Sequence, residues 1–343
     1  MQLSRRLQAH LSKGPLPFSS YMEFCLFDPE EGYYSRLTAM GAHGDFITAP
    51  ECGPYLAHRI AHYFATQHGS GEAPVILELG AGTGRLAFDL LLKLEALDAV
   101  PEQYLILEKS TTLAALQKER LSALPSPLFA KVAWCQTLAP NSLNGMVLAN
   151  EVLDALAVER FCIQASEVKR LGVALEGGRL TEVPLEESLL LPPALMHLVQ
   201  DLGEGYRSEF CQGLPGFLHP ILNAFKTGTA LIIDYGYERE RYYSRARTDG
   251  TLLAYSKHQL ISPFAAPGQC DITAHVDFTF VAETCLAQGW TIESLKPQGQ
   301  FLLEASDLLA HYPLSIDNYA LRRLIDPRLM GEVFQVLEVQ KHL

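Results

Sequence analysis

The hydrophobic pattern of the chain changes character at Val75. "VILELG" is a short apolar run, broken only by Glu78 and closed by glycine, and "GRLAFDLLLKLEAL" then returns leucine and phenylalanine at intervals of three and four. The first predicts a buried strand, the second a helix. "YLILEKS" and "TTLAALQKERLSAL" repeat the pair, with Ser110 or Thr111 as the helix cap. "KVAWC" and "GMVLANE" add a third and a fourth strand, and "TALIIDYG" over 229–236 restores a fifth. Apolar strands alternating with helices predict a parallel sheet covered on both faces.

Elsewhere the alternation breaks. Residues 158–185 alternate like antiparallel strands with a tight Gly177-Gly178 turn, 186–226 read as helical around "GLPG", and 237–274 are rich in loops. "VDFTFVAETCLAQGW" predicts a helix ending near Gly289, followed by "WTIESLK" as a strand. Upstream, turn signals at "KGPLP", "DPEEGYY" and "GAHGD" punctuate helical stretches. The pattern divides the chain into an N-terminal helical and loop extension over 1–70, a core over 71–157 and 227–305, an insertion over 158–226 and a helical tail over 306–343. The fold class is α/β: one Rossmann-like, doubly wound sheet with that N-terminal extension and long insertions after strands four and five.

Composition adds limits. With 343 residues, 48% apolar and 19% charged, the chain can build a sizeable core. The net charge of −12 opposes general nucleic-acid binding, which needs a positive field. Arg239, Arg241, Arg245 and Arg247 form the best basic run, and it reads as a solvated loop. The seven cysteines are scattered without a C-x-x-C pair, which points away from zinc or a disulfide framework and toward a reducing compartment. No apolar run is long enough to span a bilayer, and "MQLSRRLQAHLSKG" lacks the apolar core of a secretory signal. Leu3, Leu7 and Leu11 suit an ordinary surface helix better than a transit peptide. These features predict a protein of the bacterial cytoplasm. Oligomeric state cannot be read from the chain.

The chemistry begins at "ELGAGTG". Gly80, Gly82 and Gly84 allow a sharp turn and a close ligand approach. A Walker loop would continue Gly-Lys-Ser/Thr, but Arg85 and Leu86 follow. A dinucleotide fingerprint spaces its glycines G-x-G-x-x-G, whereas this loop reads G-x-G-x-G. Glu78 beside the loop would repel a pyrophosphate and suit a cation. S-adenosylmethionine carries a sulfonium and an amino group and no phosphate. Glu108 closes the second strand, where an acid accepts from ribose hydroxyls.

Longer phrases carry a resemblance. "YMEFCLFDPEEGYYS", "GDFITAPE", "ANEVLDALAVERF", "GYRSEF", "LIIDYGY", "GTLLAY" and "PGQCDITAHVDFT" resemble the MidA family of class I S-adenosylmethionine-dependent methyltransferases, from about Leu16 to about Glu304. Relatives in that family include the mitochondrial complex I assembly factor known as a protein arginine methyltransferase. The resemblance implies a class I methyltransferase fold, S-adenosyl-L-methionine as cofactor and a loop of Glu78, Gly80, Ala81, Gly82 and Gly84 around it. It further implies Glu108 on the ribose, Thr48 and Pro50 over the cofactor, and Asn150 at the sheet edge. Ala157 stands where proline is common in the family phrase.

An arginine nucleophile is a cation whose pocket needs carboxylates. Glu151 and Asp154 share a face if their turn is helical and are the expected catalytic clamp. Glu159 is the alternative second acid, and the bland role for Glu151 is an N-cap. Asp45 and Glu51 could line the same mouth or cap turns. His275, with Asp271 and Asp277 nearby, reads first as a hydrogen-bonded lid residue, then as a proton acceptor, and last as a metal ligand. Tyr33, Tyr34, Tyr235 and Tyr237 could shape the pocket or only pack. The expected function is methyl transfer to arginine on a protein partner, such as a subunit of a respiratory NADH dehydrogenase. The alternatives are small-molecule methylation and a non-catalytic assembly chaperone that keeps the cofactor site.

Overall fold

The computed structural model describes residues 4–36, 48–68, 74–256, 259–305, 308–314 and 318–342. The chain divides into two compact units. The larger holds Ala39–Leu153, Gly216–Gly236 and Val281–Leu343. Its helices α1 (Tyr55–His68), α2 (Arg85–Ala96) and α3 (Thr111–Leu121) accompany a sheet of β1 (Val75–Leu79), β2 (Gln103–Leu107), β3 (Val132–Cys135), β4 (Leu143–Asn150), β5 (Phe225–Tyr237), β6 (Thr291–Pro297) and β7 (Phe334–Lys341).

The strand order is β3-β2-β1-β4-β5-β7-β6. Neighbours from β3 to β5 are parallel, while β7 runs antiparallel between β5 and β6. The order therefore reverses between β1 and β4, the switch point at which open α/β sheets bind ligands. Ile76, Tyr104, Ile106, Met146, Leu148 and Leu231 from the strands bury against Leu86, Leu90 and Leu94, which return every four residues along α2. Ile60 and Phe64 of α1 enter the same core. Ser110 caps α3, its Oγ accepting from Leu113 N at 3.2 Å.

The expected helical tail over 306–343 ends instead in β7, paired over its whole length with β5. "FQVLEV" is buried at every position, and periodicity cannot separate such a run from a buried helix.

The smaller unit holds Met1–Thr38, Asp154–Pro215 and Tyr237–Phe280. Both insertions and the first part of the extension thus join in one body, so the extension expected as one piece over 1–70 is split between the two units. Strands Glu159–Gln164, Glu167–Glu176, Arg179–Ser188 and Arg207–Phe210, with Leu16–Pro17, form an antiparallel sheet. Gly177 and Gly178 turn the second hairpin at φ +56° and +79°. Ala165 and Ser166 make the same two-residue turn for the first hairpin at φ +52° and +63°, without glycine. The strand Arg207–Phe210 falls in the stretch expected to be helical. Its Glu209 is fully buried, and two charged residues in a run of four conceal a strand from pattern reading. Phe18, Tyr21, Met22, Cys25 and Leu26 of the helix Phe18–Phe27 pack with Val173 and Ile272.

Candidate active site

Between β1 and α2 the chain turns within five residues, and Gly80, Gly82 and Gly84 hold φ of +56°, +52° and +77°. That left-handed backbone is one side chains resist, so the G-x-G-x-G spacing is a conformational demand. The Gly80 N–H donates to Leu107 O at 3.0 Å and the Gly84 N–H to Ala81 O at 2.7 Å. A Cβ on Gly84 would sit 3.3 Å from the Cα of Gln117.

Gln117 is a site residue that motif reading missed. It is fully buried on α3, and its Nε2 donates both to Gly82 O and to Glu108 Oε2, each at 3.0 Å. Its Oε1 accepts from Trp134 Nε1 at 2.9 Å. The other carboxylate oxygen of Glu108 accepts from Ser110 N at 2.8 Å. One amide thus ties the glycine loop to the acid expected on the ribose. The signal was available: Leu113, Gln117 and Leu121 stand four apart, so the amide interrupts an apolar stripe.

Glu78 is buried in β1 and accepts from the Tyr104 hydroxyl at 2.8 Å. Burial pushes its carboxyl up to about 7; the Tyr104 bond opposes this, and the charge of Glu108 adds to it. Two acids therefore interact on adjacent strands beside the glycine loop.

At the end of β4, Glu151 takes φ +53°, a left-handed conformation rare for a side chain of this kind. Its N–H donates to Ile233 O at 2.9 Å. The short helical turn after it covers only Leu153–Ala155, so Glu151 and Asp154 do not share a helical face as expected. Glu151 does not cap that turn either. Asp234 of β5 does so, its Oδ2 accepting from Val152 N at 3.1 Å and Leu153 N at 2.9 Å. The Glu151 Oε1 accepts from Asn150 Nδ2 and from Ala49 N, each at 3.2 Å.

Ala49 opens a 3-10 turn, Ala49–Cys52, that follows Thr48 and contains the buried Pro50. Glu51 in that turn accepts from the Thr83 hydroxyl at 2.6 Å. The stretch with Thr48 and Pro50 is thus bonded both to the glycine loop and to the end of β4. Asp45 lies outside the described residues.

In the smaller unit, Asp154 is buried, and its carbonyl accepts from Ala274 N at 3.1 Å. Asp271 accepts from the Tyr34 hydroxyl at 3.1 Å, and burial with the charges of Asp271 and Asp154 holds that phenol protonated. Glu159, the alternative second acid, accepts from Arg170 Nη2 at 2.6 Å and Nε at 2.9 Å, and from Ser19 Oγ at 2.6 Å. It is occupied within the fold.

His275 stacks on Tyr237 with centroids 5.4 Å apart, and burial pushes its imidazole down to about 4. Asp277 turns to Arg239 at 3.3 Å. Among the described residues no three such groups gather into a metal-binding set. The basic run is not a free patch: Arg239 is buried, and Arg241 and Arg247 lie over the Tyr237 ring at 4.7 and 4.0 Å. "GYRSEF", "ERF" and "GTLLAY" meet in one buried network, where Glu209 accepts from Arg160 at 2.8 Å, Tyr242 at 3.0 Å and Thr251 N at 2.6 Å.

These residues fit S-adenosylmethionine. The loop turns through three left-handed glycines, with Gly80 exposed and Gly82 half-buried, and the carboxyls of Glu78 and Glu108 lie beside it. Asn150 Oδ1 is buried and accepts no hydrogen bond from the described residues, so an acceptor remains for a ligand donor.

Comparison with known proteins agrees. A family model of S-adenosyl-L-methionine-dependent methyltransferases matches residues 55–296. The mitochondrial protein arginine methyltransferase NDUFAF7 homolog of Drosophila melanogaster is 30% identical, across 98% of this chain and 84% of the relative. The Xenopus tropicalis protein arginine methyltransferase NDUFAF7 is 27% identical, across 96% and 83%. A crystal structure of a Burkholderia thailandensis protein bound to S-adenosyl-homocysteine superposes with a TM-score of 0.89 at 33% identity, across 98% of this chain and 91% of the other. The chain therefore belongs to the MidA family of class I S-adenosyl-L-methionine-dependent methyltransferases.

Proposed function

We propose that the protein methylates arginine side chains of a protein substrate in the bacterial cytoplasm, with a subunit of a respiratory NADH dehydrogenase as the first substrate to try. The observation that carries this reading is Glu151. Its carboxylate stands at the carboxyl end of β4, in a strained backbone conformation, and is spared from capping by Asp234. Strain of that kind collects at functional sites. Relatives named protein arginine methyltransferases support the choice of acceptor. The seven free thiols suit the compartment.

The cofactor supplies a methyl group on a sulfonium, already joined to a good leaving group. The chain has to align the nitrogen and exclude water. A carboxylate at Glu151 pairs with the guanidinium, fixes its plane and draws its charge toward one edge. Asp154, three residues on, is the second acid proposed to act on it. Glu78, Glu108, Asn150 and the glycine loop hold the cofactor.

The test is to add the protein and S-adenosylmethionine with a labelled methyl group to lysate from a strain lacking the gene. Label recovered as methylarginine in protein supports the reading. Label confined to small molecules would overturn the protein acceptor, and no transfer at all would leave the chaperone role.

A further inference from the structure

The strongest feature outside the roles already assigned is a hydrogen-bonded set on the glycine loop. Thr83 is a buried loop residue whose single hydroxyl serves two charged partners. It donates to Glu51 Oε1 at 2.6 Å and accepts from Arg120 Nη1 at 2.6 Å. Arg120 also reaches Glu51 Oε1 at 3.3 Å. Charge-assisted bonds of this length are the strong class, and little water reaches the Glu51 side chain to weaken them.

The three residues come from separate places in the larger unit: the Ala49–Cys52 turn, the loop after β1, and the last turn of α3. The far end of the Ala49–Cys52 turn is held too, since Ala49 N donates to Glu151. One continuous set of bonds therefore runs from the glycine loop, through the turn, to the end of β4. Those two ends flank the switch point of the sheet, where the cofactor binds.

We propose that Glu51, Thr83 and Arg120 form a clasp that fastens the Ala49–Cys52 turn across the cofactor seat and sets how long the nucleoside ligand stays bound. They are positioning residues. The proposal concerns cofactor retention and does not depend on which acceptor is methylated. A clasp acts on release: when it is broken the ligand leaves faster, while the rate of entry holds or rises. Loss of structure has another signature, because a smaller competent fraction lowers apparent association and leaves the dissociation rate unchanged.

The probe is S-adenosylhomocysteine with the full chain, by calorimetry and stopped-flow. Thr83→Val keeps the shape and removes both bonds; Thr83→Ser keeps both. Loss of one net charge-assisted bond corresponds to about a tenfold rise in Kd. Thr83→Val is therefore expected to raise Kd about tenfold through dissociation, and Thr83→Ser to stay within about twofold of the parent. Arg120→Met, at a partly exposed position, is expected to speed release about fivefold and gives a second reading if Thr83→Val does not fold. Parental dissociation rates in Arg120→Met, or in a folded Thr83→Val, would overturn the clasp. So would a Thr83→Ser protein as weak as Thr83→Val.

Discussion

Glu151 shows how much one residue can carry that its sequence neighbours do not announce. Its left-handed backbone costs on the order of 1–3 kcal/mol, which the surrounding bonds to Ile233 and Asp234 must hold in place. The conformation directs its carboxylate to Ala49 and Asn150 and away from the turn that follows. Glu151→Gln separates the structural part of this role from the chemical part. Glutamine keeps an oxygen that can accept from Ala49 N, so the Ala49–Cys52 turn stays fastened. It loses the negative charge that a guanidinium pairs with. A charge-assisted bond of about 1.5–3 kcal/mol corresponds to a loss of roughly ten- to a hundredfold in methylation. Affinity for S-adenosylhomocysteine is expected to change less than about twofold, since tenfold would need about 1.4 kcal/mol. A peptide methylation assay beside calorimetry and a thermal melt measures all three quantities. Full turnover in the mutant would remove Glu151 from the active site and weaken the arginine reading with it.

Strands explain why the acids stand where they do, and the tightest strand contact is made by glycines with no part in the chemistry. Gly145 of β4 has φ +133°, and a Cβ there would lie 2.1 Å from the carbonyl oxygen of Val75 in β1. A Cβ on Gly228 of β5 would lie as close, 2.1 Å, to the carbonyl oxygen of Gly145. Three backbones approach here more closely than side chains allow, and β1, β4 and β5 carry the glycine loop, Glu151 and Asp234 at their other ends. Gly145→Ala adds overpacking to strain and is expected to cost about 2–4 kcal/mol, read as a lower urea midpoint at similar slope. An unchanged midpoint would show that the edge yields without loss. Neither glycine drew attention in the sequence, because close approach between distant strands leaves no local pattern. What was legible had local causes: the apolar runs of β1 to β5, the cap at Ser110, the glycine spacing and the hairpin at Gly177-Gly178. What escaped depended on partners far along the chain. Glu209 makes a strand possible by burying against Arg160, Gln117 breaks an apolar stripe but takes its role only from Gly82 and Glu108, and β7 is a strand because β5 and β6 flank it.

Charge acts on the whole molecule. With 39 acidic and 27 basic side chains, the difference is −12. The basic residues that looked most available are engaged: Arg239 pairs with Asp277, and Arg247 lies over Tyr237. The net field therefore favours approach of cations, which is the sign an arginine-bearing substrate carries. Long-range attraction of this kind acts on association, and salt screens it once the Debye length shrinks from roughly 30 Å at 0.01 M to about 3 Å at 1 M. For a peptide with several arginines, kcat/KM is expected to fall about tenfold or more from low to high salt, because steered encounter is lost. Turnover at saturation should change far less, since the proposed pairing of Glu151 with the guanidinium is short-ranged and made after encounter. S-adenosylhomocysteine is a zwitterion with no net charge, so its affinity should scarcely respond over the same range. The measurement is a salt series of peptide methylation beside calorimetry with S-adenosylhomocysteine. A kcat/KM that ignored salt while the peptide was still methylated would assign recognition to contacts at the site alone. It would also remove the acidity of the chain from the account of how the substrate is found.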